Sequence, residues 1–249
     1  MKTHLSIVTG GSRGLGRALV EQLLARGHHV LALARRPTEL PVPAGARLEA
    51  WTVDLADPLP VAERLAGWLA AQDPSAWRSV TLVHNAGVVS PPAPLSASAP
   101  AELSNALRVG LEAPLVLSAS FLRATTAWAV PRKLLFISSG LGRRAMAGSS
   151  SYCAAKAGMD HLARALALEE AAQPHGARVV ALAPGVIDTD MQVQLREADP
   201  TLFPEHARFQ SLKDNGQLDS PAQAAAKVLA VLDRDDFGSV PVTDVREMA

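Results

Sequence analysis

Leu5-Ser6-Ile7-Val8-Thr9-Gly10-Gly11-Ser12-Arg13-Gly14-Leu15-Gly16 is the stretch whose reading decides the fold. Leu5 to Val8 is an apolar run of the kind that forms a buried strand. Beyond Gly16, Leu19, Leu23 and Leu24 recur at the spacing of an amphipathic helix. The turn between them spaces its glycines as Gly-x3-Gly-x-Gly. Glycine lets the backbone turn tightly and approach a pyrophosphate, and the helix start behind it offers free N–H groups and a positive dipole end. Gly10, Ser12, Arg13, Gly14, Leu15 and Gly16 are therefore candidate nucleotide contacts. A plain strand-to-helix turn looks similar, and the spacing differs from the Gly-x-Gly-x2-Gly of long-chain dinucleotide folds.

Working outward, the same alternation continues. Further strands are expected over 29–34, 48–53, 80–84, 134–137, 178–183 and 239–242, with helices over 61–71, 101–111, 115–128, 150–171 and 222–232. The fold expected is α/β, a doubly wound parallel sheet of about seven strands with helices on both faces. The Pro, Ser and Ala-rich residues 88–100 read as an irregular loop inside one domain, 1–249, because the alternation resumes at once. A 48 % hydrophobic composition over 249 residues suffices for one extensive core.

Charge and cysteine content narrow the function. The formal net charge is zero with no basic tract, which argues against nucleic acid or an anionic membrane as partner and for a small molecule. Cys153 is the only cysteine, so no internal disulfide or cysteine metal cluster forms. No metal site is expected, and Cys153 reads as a small packing residue. Without a signal-like N-terminus or an apolar run long enough for a membrane span, a cytoplasmic chain is expected.

The candidate chemistry lies in Ser149-Ser150-Ser151-Tyr152-Cys153-Ala154-Ala155-Lys156-Ala157-Gly158 together with Ser139. On a helix Lys156 lies one turn beyond Tyr152, which sets an ammonium beside a phenol and favours the phenolate. Tyr152 is the only tyrosine, and Ser139 follows the apolar strand Leu134-Leu135-Phe136-Ile137, at the kind of strand end where open α/β sheets place their chemistry. Taken alone, the pair could equally be a half-buried tyrosine next to a surface lysine. The strand over 29–34 ends in Ala34-Arg35-Arg36, without the acidic residue that would bind a free ribose 2′-hydroxyl. Arg13, Arg35 and Arg36 suit a 2′-phosphate, or are solvated loop charges. Asp54 either faces the nucleotide with Leu55 or caps the helix that follows.

A serine at a strand end, tyrosine thirteen residues on and lysine four further resembles the short-chain dehydrogenase/reductase family, as does the glycine turn. That resemblance implies a Rossmann-type fold, NADP(H) as cofactor, a small carbonyl substrate and a homodimer or homotetramer. By position it implies that Ser139, Tyr152 and Lys156 are catalytic. It also implies that Asp54 and Leu55, Asn85-Ala86-Gly87, and Pro184-Gly185-Val186-Ile187 with Thr189 flank the cofactor, while 190–216 forms a mobile lid over the substrate. Ser151 to Lys156, Ala183 to Gln192 and Leu212 to Leu218 are similar to the corresponding runs of benzil and sepiapterin reductases, which implies an NADPH-dependent reduction of a ketone or dicarbonyl. The family usually carries Asn where Val109-Gly110-Leu111-Glu112-Ala113-Pro114 has Gly110. That departure favours an alternative, a weak or inactive NADP(H)-binding protein. If the enzyme reading holds, Gly110→Asn is expected to keep or raise activity, provided no other side chain fills the space.

Overall fold

The computed structural model describes residues 2–247. Seven parallel strands form one sheet: β1 Thr3–Thr9, β2 His29–Ala34, β3 Arg47–Thr52, β4 Trp77–His84, β5 Arg132–Ile137, β6 Arg178–Ala183 and β7 Val242–Asp244. Their order is β3-β2-β1-β4-β5-β6-β7, so the chain winds outward in both directions from β1 and β4. The strands read as continuous apolar runs because helices cover both faces. On one face Leu5, Ile7, Leu82 and Phe136 pack against α2 (Pro58–Ala70), α4 (Ala113–Thr125) and α5 (Ser150–Ala171) through Leu65, Leu117, Phe121 and Met159. On the other, Val8, Val83 and Leu182 meet α1 (Gly14–Ala25) and α8 (Pro221–Leu232) through Leu19, Leu23, Val228 and Leu229.

Several elements differ from expectation in instructive ways. α5 and β6 have the bounds expected from the sequence. By contrast α3 (Pro100–Leu107) does not break before α4; a π-helical turn over Arg108–Glu112 joins the two. Asp54 caps no helix: its Oδ1 accepts from the Ala56 N–H at 2.9 Å, and α2 begins later, at Pro58. β7 starts three residues later than the strand expected over 239–242 and overlaps it only at Val242, since Pro241 cannot donate to the ladder and pairing with β6 starts at Val242. The segment 190–216 holds two helices, α6 (Asp190–Arg196) and α7 (His206–Asp214), whose Leu195 and Phe209 bury with Phe203 against Leu141 and Met146. Among the described residues no helix is long and apolar enough to cross a membrane.

Candidate active site

A cleft of about 700 Å³ opens beyond the carboxyl ends of β1 and β4, where the strand order reverses. Every candidate catalytic and cofactor-binding residue named from the sequence lines it, from the glycine turn, Arg35, Arg36, Asp54 and Leu55 to Asn85-Ala86-Gly87, Ser139, Tyr152, Lys156 and the run Pro184 to Ile187 with Thr189.

At the cofactor end the backbone is bare by necessity. Gly10 and Gly14 have φ of 71° and 52°, and a Cβ on Gly16 would strike the Gly10 carbonyl. Asn85 fixes this turn from β4: its Nδ2 donates to Thr9 O at 3.0 Å and Gly10 O at 3.3 Å, while the N–H groups of Asn85 and Ala86 donate to Thr9 Oγ1. Arg13 stands at the N-cap of α1 without a side-chain cap bond, which leaves the first N–H groups of the helix facing the cleft. A glycine cradle under a helix start fits a pyrophosphate. Arg35 and Arg36 are exposed at the rim. Arg13 is engaged elsewhere: its Nη1 lies 2.5 Å from Asp190 Oδ2 at the start of α6.

Across the cleft Gly185 has φ of 86°, and Asp219 clamps the run that follows, its N–H donating to Val186 O while its carbonyl accepts from Asp188 N. Thr189 comes against the glycine turn, its Cγ2 3.3 Å from where a Gly14 Cβ would stand.

At the other end, Ser139 leaves β5 in extended conformation with its Oγ accepting from the Leu141 N–H at 3.2 Å. Lys156 is 4 % exposed and donates from Nζ to Ile137 O at 2.7 Å. Its ammonium lies 5.5 Å from the centroid of the Tyr152 ring. Burial pulls Lys156 down to about 8, with Asp160 opposing. Burial pushes the Tyr152 phenol up to about 12, with Ser139 pulling the other way. The expected lowering of the phenol by Lys156 is therefore outweighed by burial. The ammonium is committed to a backbone carbonyl, and desolvation of the ring dominates.

Gly110 lies buried in the π-helical turn, and a Cβ there would stand 3.1 Å from the Ala155 methyl. The helix irregularity exists without an asparagine side chain, and Ala155 occupies part of the space such a side chain would need.

Some cleft features escaped the sequence reading. Leu141 and Met146 join Leu195 and Phe209, which belong to the expected lid, in an apolar wall beside Tyr152, and Arg144 and Arg208 also line the cleft. Apolar residues in the loop after Ser139 were the available signal. Ser138 and Asp160 join behind the site, and the spacing of Asp160, four residues past Lys156, could have revealed it.

Comparison with known proteins agrees with this geometry. The short chain dehydrogenase family model matches residues 4–200. A benzil reductase ((S)-benzoin forming) of Bacillus cereus is 31 % identical over 97 % of this chain and 98 % of its own length. The sepiapterin reductase of Meriones unguiculatus is 32 % identical over 94 % of this chain and 92 % of its own. A crystal structure of a metagenomic short-chain oxidoreductase in complex with NADP superposes with a TM-score of 0.72 at 27 % identity, covering 98 % of this chain and 95 % of that one. With a family model over most of its length and a cleft built at the same topological switch point, this chain belongs to the short-chain dehydrogenase family of oxidoreductases.

Proposed function

We propose that the protein is an NADPH-dependent carbonyl reductase that converts a small ketone or dicarbonyl compound to the alcohol in the cytoplasm. The observation that carries this reading is the meeting of Ser139, Tyr152 and Lys156 at one end of a cleft whose other end is the glycine turn. NADPH, when bound, supplies the hydride. The Ser139 hydroxyl donates a hydrogen bond to the substrate carbonyl oxygen, holding it and drawing charge onto it. The Tyr152 hydroxyl gives that oxygen its proton as the carbonyl carbon is reduced, so the product is a neutral alcohol. Lys156 holds the nicotinamide ribose and, once turned from Ile137 O, steadies the phenolate that remains. Arg35 and Arg36, with no carboxylate at the end of β2, favour a 2′-phosphate. The apolar wall of Leu141, Met146, Leu195 and Phe209 suits an aromatic or aliphatic group next to the carbonyl. Relatives named for benzil and sepiapterin reduction support a ketone or dicarbonyl as substrate.

The test is NADPH oxidation with a panel of aromatic diketones. Turnover with at least one diketone, and tighter binding of NADPH than NADH, is expected. Binding of both compounds without oxidation would favour the non-catalytic alternative for which Gly110 is the motive.

A further inference from the structure

Asp160 lies one turn beyond Lys156 and two beyond Tyr152 on α5, and it is 1 % exposed. Its Oδ1 accepts a hydrogen bond from the hydroxyl of Ser138, the residue before Ser139. Its Oδ2 has no hydrogen-bond partner among the described residues. The room it occupies depends on Gly142, where a Cβ would stand 2.9 Å from the Asp160 carboxyl carbon. A carboxylate in such a place is costly unless a cation compensates it.

Three cations act on it. Arg143, after the turn that contains Gly142, favours its charged form and pairs with Asp244 of β7 at 3.6 Å. Arg164 lies one turn further along α5, and Lys156 one turn back. Only Lys156 is itself buried beside the reacting groups, where its polar contacts are a neutral carbonyl, Ile137 O, and the Met159 sulfur at 3.9 Å. Burial drives both groups towards neutrality, and each favours the charged form of the other.

We propose that Asp160 is a positioning residue for the reaction: it holds Ser138, and so the strand end that presents Ser139, against α5, and its charge keeps Lys156 an ammonium beside Tyr152. The proposal rests on the carbonyl-reductase reading. The charged and titratable groups facing the pair are Tyr152, Arg143 with its partner Asp244, and Arg164. Without the carboxylate, desolvation of Lys156 would be less opposed and its proton would leave at lower pH.

Asp160→Asn keeps an acceptor for Ser138 and removes the charge, whereas Ser138→Ala removes the tie and leaves the charge. For Asp160→Asn the expected result is an NADPH Kd and a KM within about threefold of wild type, a kcat at least roughly tenfold lower at pH 8, and an alkaline limb of the kcat profile moved down by about one pH unit. Ser138→Ala should lower kcat roughly fivefold with the NADPH Kd unchanged. The charge is read separately, without turnover, from the ¹³Cε shift of Lys156 against pH, assigned with Lys156→Arg. A fall of about one unit in Asp160→Asn is expected. An unchanged Lys156 titration, or a kcat loss with an unmoved limb and a lowered Tm, would overturn the charge role. Wild-type kcat in Ser138→Ala would overturn the positioning role. A wild type inert towards every diketone would overturn the reductase reading and with it any part for Asp160 in that reaction.

Discussion

Tyr152 packs against the wall formed by Leu141, Met146, Leu195 and Phe209, and burial holds its phenol at about 12. A hydroxyl this reluctant to ionise stays protonated at neutral pH, as the proton donor of the proposed reduction must. Tyr152→Phe keeps the ring and its packing, so NADPH affinity should stay within about twofold, while carbonyl reduction falls by roughly 10²- to 10⁴-fold. Stopped-flow absorbance and calorimetry measure the two, and near-native turnover would make Tyr152 a packing residue. Gly110 gives the opposite lesson. Ala155 crowds the position, so Gly110→Asn should not raise activity; it should overpack the turn by about 1–3 kcal/mol and lower Tm in a thermal melt. A melt at or above the wild-type temperature, with faster turnover, would restore the simpler expectation drawn from the sequence.

At the scale of elements, the glycine turn and the start of α6 meet through Arg13 and Asp190. Both side chains are more than half exposed, so the ion pair itself is worth about 0–1 kcal/mol, yet it occupies a cation suited to a 2′-phosphate. Asp190→Asn should therefore tighten NADPH by up to about fivefold and leave NADH nearly unchanged in parallel calorimetric titrations. Weaker NADPH binding would mean that the pair organises the cleft instead. How much could be read in advance follows from how local each signal is. α5 and β6 were legible because long apolar patterns with clear ends fix them. The glycine turn was legible because backbone approach forces Gly at positions 10 and 16. The π-helical turn around Gly110 was not, because the run 101–128 reads as two helices and the wider turn between them leaves no period of its own. Nor were α6 and α7, whose few apolar residues look like loop residues until they bury against Met146 and Leu141. Asp160 was not singled out from the sequence, because its contact with Ser138 joins two segments and leaves only its spacing from Lys156 as a local signal.

For the whole molecule, one buried and one half-buried histidine set a pH limit. His84 packs on Phe136 and bonds Ser118 Oγ at 2.9 Å, and burial pulls it down to about 3. His28 is pulled to about 4 by burial and by His4, which stacks on it. Both folded values lie below the unfolded value near 6.5, so the unfolded chain binds more protons, and stability present above pH 6.5 is lost as pH falls. Between pH 7 and 5 Tm should drop, and His84→Gln should flatten the slope; a flat Tm would remove the histidines as its cause. Leu168 on α5 is 77 % exposed and Leu115 on α4 is 48 % exposed, whereas Ala163 on α5 is buried in the core. A homodimer or homotetramer is expected by light scattering at micromolar concentration, and Leu168→Glu should shift it towards monomer. The most direct test of the reductase account is single-turnover oxidation of enzyme-bound NADPH by an aromatic diketone, in wild type and Tyr152→Phe. The account predicts oxidation with stoichiometric alcohol in the wild type and loss of at least roughly 10²-fold in the variant. A wild type that binds both compounds and never oxidises NADPH would contradict it.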